Sequence, residues 1–269
     1  MALFASLPMY DLPEIKASTD VYWQRLAESF ADHGIGDNAL PQQLIRGRDP
    51  HLDWLRPETI FSQTCGLPYV RDLRGQVTLL GSPAYDIDCA PGSYFSVVIV
   101  REDEHREDIA DYASKRFAFN DRRSQSGFAA FFSLLNEQNI AGLPSEMVDS
   151  GAHLQSIEMV AEGKADIAAI DAVTYALAIR HRDAADRVKV IANTEVTPSL
   201  PYISSLAFAD RKAEIVNAII QAMAALPETV RNDLLITGFN ERVDGDYDGI
   251  RTKWDKLVEL GLYILLYKK

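Results

Sequence analysis

Ser126-Gly127, within FNDRRSQSGFAAFF, and Ser150-Gly151, within MVDSGAHLQSIEMV, each join a strand-like run to the start of a helix. A helix start carries unpaired backbone N–H groups and a partial positive charge, so it is suited to holding an anion. Glycine lets a ligand approach the backbone closely. Ser124, Gln125, Ser126 and Gly127 at the first junction, with Ser150 and His153 at the second, make a set of hydroxyl, amide and imidazole donors. The chemistry they suggest is the grip of a small oxyanion. Each residue also has a plainer role, because serine at a helix start caps free N–H groups and a histidine there is often a surface residue.

Further polar residues stand at the ends of other elements. Asp171 closes the apolar run ADIAAI, where it either caps the helix that follows or meets a cationic part of a ligand. Thr64, in FSQTCGLPY, ends a strand and is followed by further N–H groups. Tyr10, just past the first strand, is placed to form an aromatic wall, with Tyr85 and Tyr94 as weaker candidates. Arg122 and Arg123 are adjacent on a turn, where side chains diverge, so at most one of them enters the site. Bond-making machinery is not visible. The sequence shows no G-x-S-x-G elbow, no metal-ligand spacing and no phosphate loop, and its five histidines are scattered. No catalytic residue, metal or cofactor is therefore expected.

The elements that must position these residues alternate strand and helix nearly throughout, the pattern of an α/β protein. Strands are expected at 2–8, 42–47, 76–83, 94–102, 116–120, 146–150, 165–170 and 188–193. Helices are expected at 19–34, capped by Ser18 or Thr19, and at 126–138, 153–163, 172–181 and 213–226, with another towards the C-terminus. If the strands at 116–120 and 146–150 run parallel, both Ser-Gly turns lie at one sheet edge, where α/β proteins bind ligands. Two extended passages, near 86–92 and 194–201, divide the chain into an outer lobe (1–85 and 200–269) and an inserted inner lobe (92–195). Two lobes joined by two crossings form a hinge arrangement that closes on ligands.

Bulk composition narrows the partners. The chain has 269 residues, 47% hydrophobic and 25% charged, enough for a sizeable core. Its 39 acidic and 27 basic residues leave a net charge of −12, which argues against a nucleic-acid partner. An anion must then be held by local geometry rather than by the overall field. No apolar run approaches the ~18 residues of a membrane span, and the N-terminal stretch reads into a strand without an export signal. Cys65 and Cys89 are too few for a disulfide framework and lie outside metal-type spacing; they are two ordinary thiols or, in an exported protein, one bridge.

The segments SQTCGLPY, GSYFSVVIVR, FAFNDRRSQSGF and SGAHLQSIEMVAEGKADIAAIDAVTYAL together resemble the phosphonate/phosphate-type substrate-binding proteins of ABC importers, which have the class II periplasmic-binding-protein fold. The resemblance covers most of 3–210 and is most specific over 150–177. It implies two α/β lobes, each a mostly parallel sheet flanked by helices, that close on a phosphonate, phosphate ester or similar oxyanion. It maps the phosphonyl grip onto Ser124, Gln125, Ser126, Gly127 and His153, with Asp171 at the ligand's other end and Tyr10 at the exit of the first strand. Gln125 stands where the family often carries another hydroxyl residue. The resemblance also implies an ABC permease as partner, a periplasmic location and an approach of Cys65 to Cys89; a monomer is expected. The unseen export signal points instead to the cytoplasm, and to a soluble enzyme of cofactor biosynthesis or a ligand sensor on the same fold.

Overall fold

The computed structural model describes residues 2–36 and 39–261. In chain order its elements are β1 (Phe4–Ala5), α1 (Lys16–Asp32), α2 (Pro50–Asp53), β2 (Thr59–Gln63), α3 (Gly66–Pro68), β3 (Val77–Tyr85), β4 (Ser93–Tyr94), β5 (Ser96–Arg101), β6 (Arg116–Phe119) and α4 (Ala130–Glu137). They continue with β7 (Glu146–Asp149), α5 (His153–Ala161), β8 (Ile167–Asp171), α6 (Ala172–His181), β9 (Val188–Asn193), β10 (Thr197–Pro198), β11 (Tyr202–Ser205), α7 (Lys212–Ala224), α8 (Glu228–Leu234), β12 (Ile236–Asn240) and α9 (Asp248–Glu259). A wide turn over Gln125–Ala129 runs directly into α4.

The chain forms two compact units, Met1–Ser93 with Pro198–Asp248, and Tyr94–Thr197 with Gly249–Lys269. The C-terminal helix therefore groups with the second unit rather than with the outer lobe of the sequence reading. Its Lys253 pairs there with Glu137, at 2.6 Å, and with Glu195. Residues 262–269, which end the expected C-terminal helix, lie outside the described residues.

The first unit is built on a five-stranded sheet ordered β1-β2-β11-β3-β12. β1 and β2 are parallel, whereas β11 is antiparallel to both β2 and β3, and β12 is antiparallel to β3. All nine residues of β3 are buried, so both of its faces are covered. The core carries an aromatic cluster in which Phe61 meets Tyr202 at 4.8 Å, Phe30 at 6.0 Å and Trp23 at 6.4 Å. Two expectations change in this unit. Residues 42–47 form a loop rather than a strand, held by one bond from the Ile45 N–H to the Ala5 carbonyl and by ion pairs of Arg46 with Asp11 and Asp20. Helix α1 starts at Lys16, after a turn opened by Pro13, so Ser18 and Thr19 lie inside it; the Thr19 hydroxyl donates back to the Ile15 carbonyl.

The second unit has the sheet order β7-β6-β8-β5-β9. β6 is parallel to both β7 and β8, and β5 is antiparallel to β8 and β9. Alternation along β6 sends successive side chains to opposite faces. Phe117 and Phe119 meet the helix at 125–137, with Phe117 stacked 4.1 Å from Phe131 and Phe119 5.6 Å from Phe128. Ala118 lies on the other face, in a cluster with Ile157 and Val160 of α5. Both layers of helix are thereby seated on β6. Because β6, β7 and β8 run the same way, their carboxyl ends at Phe119, Asp149 and Asp171 share one edge.

Candidate functional site

That edge of the second unit brings the two Ser-Gly junctions together. The Ser150 N–H donates to the Phe119 carbonyl at 2.9 Å, tying the second turn to the end of β6. The link between the junctions is direct, since Ser126 Oγ lies 2.9 Å from His153 Nε2. Ser124 caps the wide turn, its hydroxyl accepting from the Gly127 N–H at 3.0 Å and lying 3.5 Å from Ser126 Oγ. Ser124, Gln125, Ser126 and Gly127 are all buried. Asp121 and Ser124 close a turn of which Arg122 and Arg123 are the middle residues.

The two arginines diverge as their adjacency requires. Arg123 folds back on the exposed carboxylate of Asp121 at 2.9 Å. Arg122 lies over the Phe119 ring, 4.9 Å from its centroid, and its Nη1 is buried without a hydrogen-bond partner. Asn120, the residue after β6, was not singled out in the sequence. Its Oδ1 is likewise buried without a partner. A Cβ on Gly127 would lie 1.9 Å from that oxygen and 2.9 Å from His153 Cε1, so Asn120, Gly127 and His153 converge on one point.

His153 opens α5. Enclosure of its ring lowers the imidazole pKa to about 4, opposed only by the nearby Ala169 backbone. Its Nδ1 is buried with no hydrogen-bond partner of ordinary geometry. At neutral pH the ring is uncharged and serves as a polar contact, not a cation. The folded value lies below the usual 6.5, so an unfolded chain takes up this proton first. The contribution to stability is complete above about pH 6.5 and is lost as the pH falls towards about 4. Melting followed across that interval should fall further for the wild type than for His153→Asn. Parallel falls would show that the ring does not titrate this way.

Other expected residues also serve local structure. Asp171 is 1% exposed and its Oδ1 accepts from the Val173 and Thr174 N–H groups at 2.9 and 3.1 Å, the capping role. The Ser150 hydroxyl serves its own turn, 2.9 Å from the Phe119 carbonyl and 2.7 Å from Ser156 Oγ. Tyr10 and Thr64 belong to the first unit. Thr64 is fully buried, and its hydroxyl donates to the Cys65 carbonyl at 3.2 Å. Tyr10 meets Tyr85 edge-on at 5.2 Å and lines a cavity of about 30 Å³ with Tyr22, Gln63, Tyr85 and Tyr202. Gln63 and Tyr202 carry no sequence signal for this, because tertiary packing alone assembles the cavity. A wider cavity of the same unit, about 340 Å³, is lined by Arg46 and Arg48. Both arginines are already bonded to aspartates, Arg46 to Asp11 and Arg48 to Asp53, which leaves little charge for an anion.

Cys65 and Cys89 form no disulfide, which corrects the bridge implied by the resemblance; Cys89 Sγ donates to the Ser93 carbonyl at 2.9 Å. Among the described residues no group of three or more His, Cys, Asp or Glu is placed to hold a metal ion, and no helix is long and apolar enough to cross a membrane.

Residues 61–247 match the model of the periplasmic phosphonate substrate-binding protein of ABC transporters. The chain belongs to that family. Its fold is that of PhnD1 from Prochlorococcus marinus, solved with methylphosphonate, at 14% identity and TM-score 0.73 over 95% of this chain and 98% of that one. A binding protein of an ABC phosphonate transporter from Pseudomonas aeruginosa aligns at 14% identity and TM-score 0.70, over 94% and 85% of the two chains. A Xanthomonas citri protein solved with ATP aligns at 12% identity and TM-score 0.70, over 95% and 99%. No curated protein matches the chain in sequence. The family member described here thus has a two-unit α/β fold of the class II periplasmic-binding-protein type.

Proposed function

We propose that this protein captures a small tetrahedral oxyanion, a phosphonate or phosphate ester, at the junction formed by Ser124, Gln125, Ser126, Gly127 and His153, and holds it unchanged for an ABC importer. The observation that carries this reading is the 2.9 Å contact of Ser126 with His153, which joins two successive strand-to-helix turns at one sheet edge. Helix-start N–H groups and the dipole of the helix at 125–137 favour a negative guest there. Methylphosphonate in one structural relative and ATP in another agree with a phosphorus oxyanion.

Thermal unfolding with a panel of phosphonates, phosphate, sulfonates and carboxylates at low salt tests the proposal. A ligand at about a hundred times its Kd should stabilise the protein by ~2.7 kcal/mol. Ser126→Ala should weaken the best ligand by about tenfold, the loss of one hydrogen bond to a charged group. Stabilisation by no tetrahedral anion overturns the capture. Because Ser126 and His153 also have nucleophile-to-base spacing, release of phosphate from a bound phosphonate would overturn the holding role.

A further inference from the structure

The junction is rich in donors, as an anion site must be, yet it also buries an acceptor. Asn120 Oδ1 has no hydrogen-bond partner. It stands so close over the first turn that a Cβ on Gly127 would be 1.9 Å away. The same point is 2.9 Å from His153 Cε1, so the oxygen is held where the two junctions meet. A buried acceptor left unpaired is costly, and a fully ionised oxyanion, which has only acceptors, would add repulsion to that cost. A ligand that still carries a proton on one oxygen satisfies it.

Resting on the capture reading above, we propose that Asn120 Oδ1 accepts a hydrogen bond from a P–OH of the bound ligand. The site thereby selects a monoprotonated phosphonate or phosphate over a sulfonate of the same shape. Phosphorus oxyanions gain and lose such a proton close to neutral pH, with a second pKa of about 6 for phosphate esters, so the monoprotonated form is the main one at about pH 6 and below. Sulfonates have no proton left there. A site built around a particular hydrogen bond rejects analogues that cannot make it far more strongly than apolar contacts reject a change of size.

The charged and titratable groups around Asn120 leave the ligand's own proton as the one in play near neutral pH. On the turn after β6 they are the Arg122 guanidinium and the Asp121–Arg123 ion pair. At the end of β7, Asp149 accepts from the Gly151 N–H. At the end of β8, Asp171 is occupied as a cap. His153 at the start of α5 is neutral in this range.

Calorimetric titration of the full chain with methylphosphonate and methanesulfonate, from about pH 6 to about pH 8.5, tests the proposal. Methylphosphonate affinity should fall by about tenfold per pH unit above the ligand's second ionisation. It should exceed methanesulfonate affinity by about a hundredfold at the lower pH. Asn120→Asp keeps an acceptor and should still bind methylphosphonate at the lower pH, with a steeper decline. Asn120→Ala should cut the preference over methanesulfonate by about tenfold. Affinity that stays level or rises with pH overturns the proposal while leaving the capture reading intact. So does loss of all binding in a folded Asn120→Asp while Asn120→Ala binds, the mark of an amide N–H donating to the ligand. If neither anion binds the wild type, both readings fall. The wild-type pH profile decides the matter even where a variant does not fold.

Discussion

Phe117→Ala is expected to destabilise the protein by about 3–5 kcal/mol, the range for removing a large aromatic ring from a packed core. Phe117 is fully buried at the middle of β6. Its ring stacks 4.1 Å from Phe131, meets Phe132 edge-on at 5.6 Å and lies 6.3 Å from Phe119. Alanine would remove those ring pairings, each with specific geometry beyond simple burial. It would also leave a hole that the strand cannot close, because Ala118 is fixed from the opposite face by α5. Phe131 and Phe132 belong to the helix whose first turn carries Ser126, so looser packing should also misplace the anion junction. Urea unfolding of the two proteins measures the effect. A loss below about 1 kcal/mol would mean that the aromatic layer relaxes far more than protein cores normally do.

Gly127→Ala should damage both stability and binding. The backbone at Gly127 is not in the left-handed region, so conformational freedom is not the reason for glycine here. The reason is space, because the new methyl would collide with Asn120 Oδ1 and crowd His153 Cε1. Forcing it in costs about 1–3 kcal/mol, as overpacking of a filled core does. If Asn120 swings away instead, the penalty shrinks but the junction loses its shape. Affinity for the best anion of the panel should then fall by at least about tenfold, the effect of losing one good polar contact. Unfolding and titration of the same variant separate the two outcomes. A variant with unchanged melting and unchanged affinity would show that Asn120 and His153 are not held where they are described.

Much of the second unit was legible because its elements are short, strongly patterned and clearly punctuated. Helix α6 spans Ala172–His181 and β9 spans Val188–Asn193, the bounds that the apolar runs and the Asp171 cap suggest. The parallel run of β6 and β7 follows from the strand–helix–strand spacing, and with it the shared edge of the two Ser-Gly turns. The first unit was harder to read. The expected strand at 2–8 shortens to Phe4–Ala5, and 42–47 is an ion-paired loop, because side-chain pairing there replaces the strand ladder. In the site, serine and glycine announce themselves by type and by place before a helix. Asn120 does not, since its importance comes from meeting Gly127 and His153, partners distant in sequence. The opposite holds for Asp171, whose visible position at a strand end is explained by two capping bonds.

The antiparallel pairing of β5 with β9 joins Val97 to Asn193. The segments that enter and leave the second unit's sheet consequently run side by side at its border. A segment whose two ends meet in this way can be gained by a host chain in a single splice, with no threading through the host's own sheet. Helix α9, which follows the last strand of the first unit in the chain, is fastened to this module by Lys253 and contributes none of its strands.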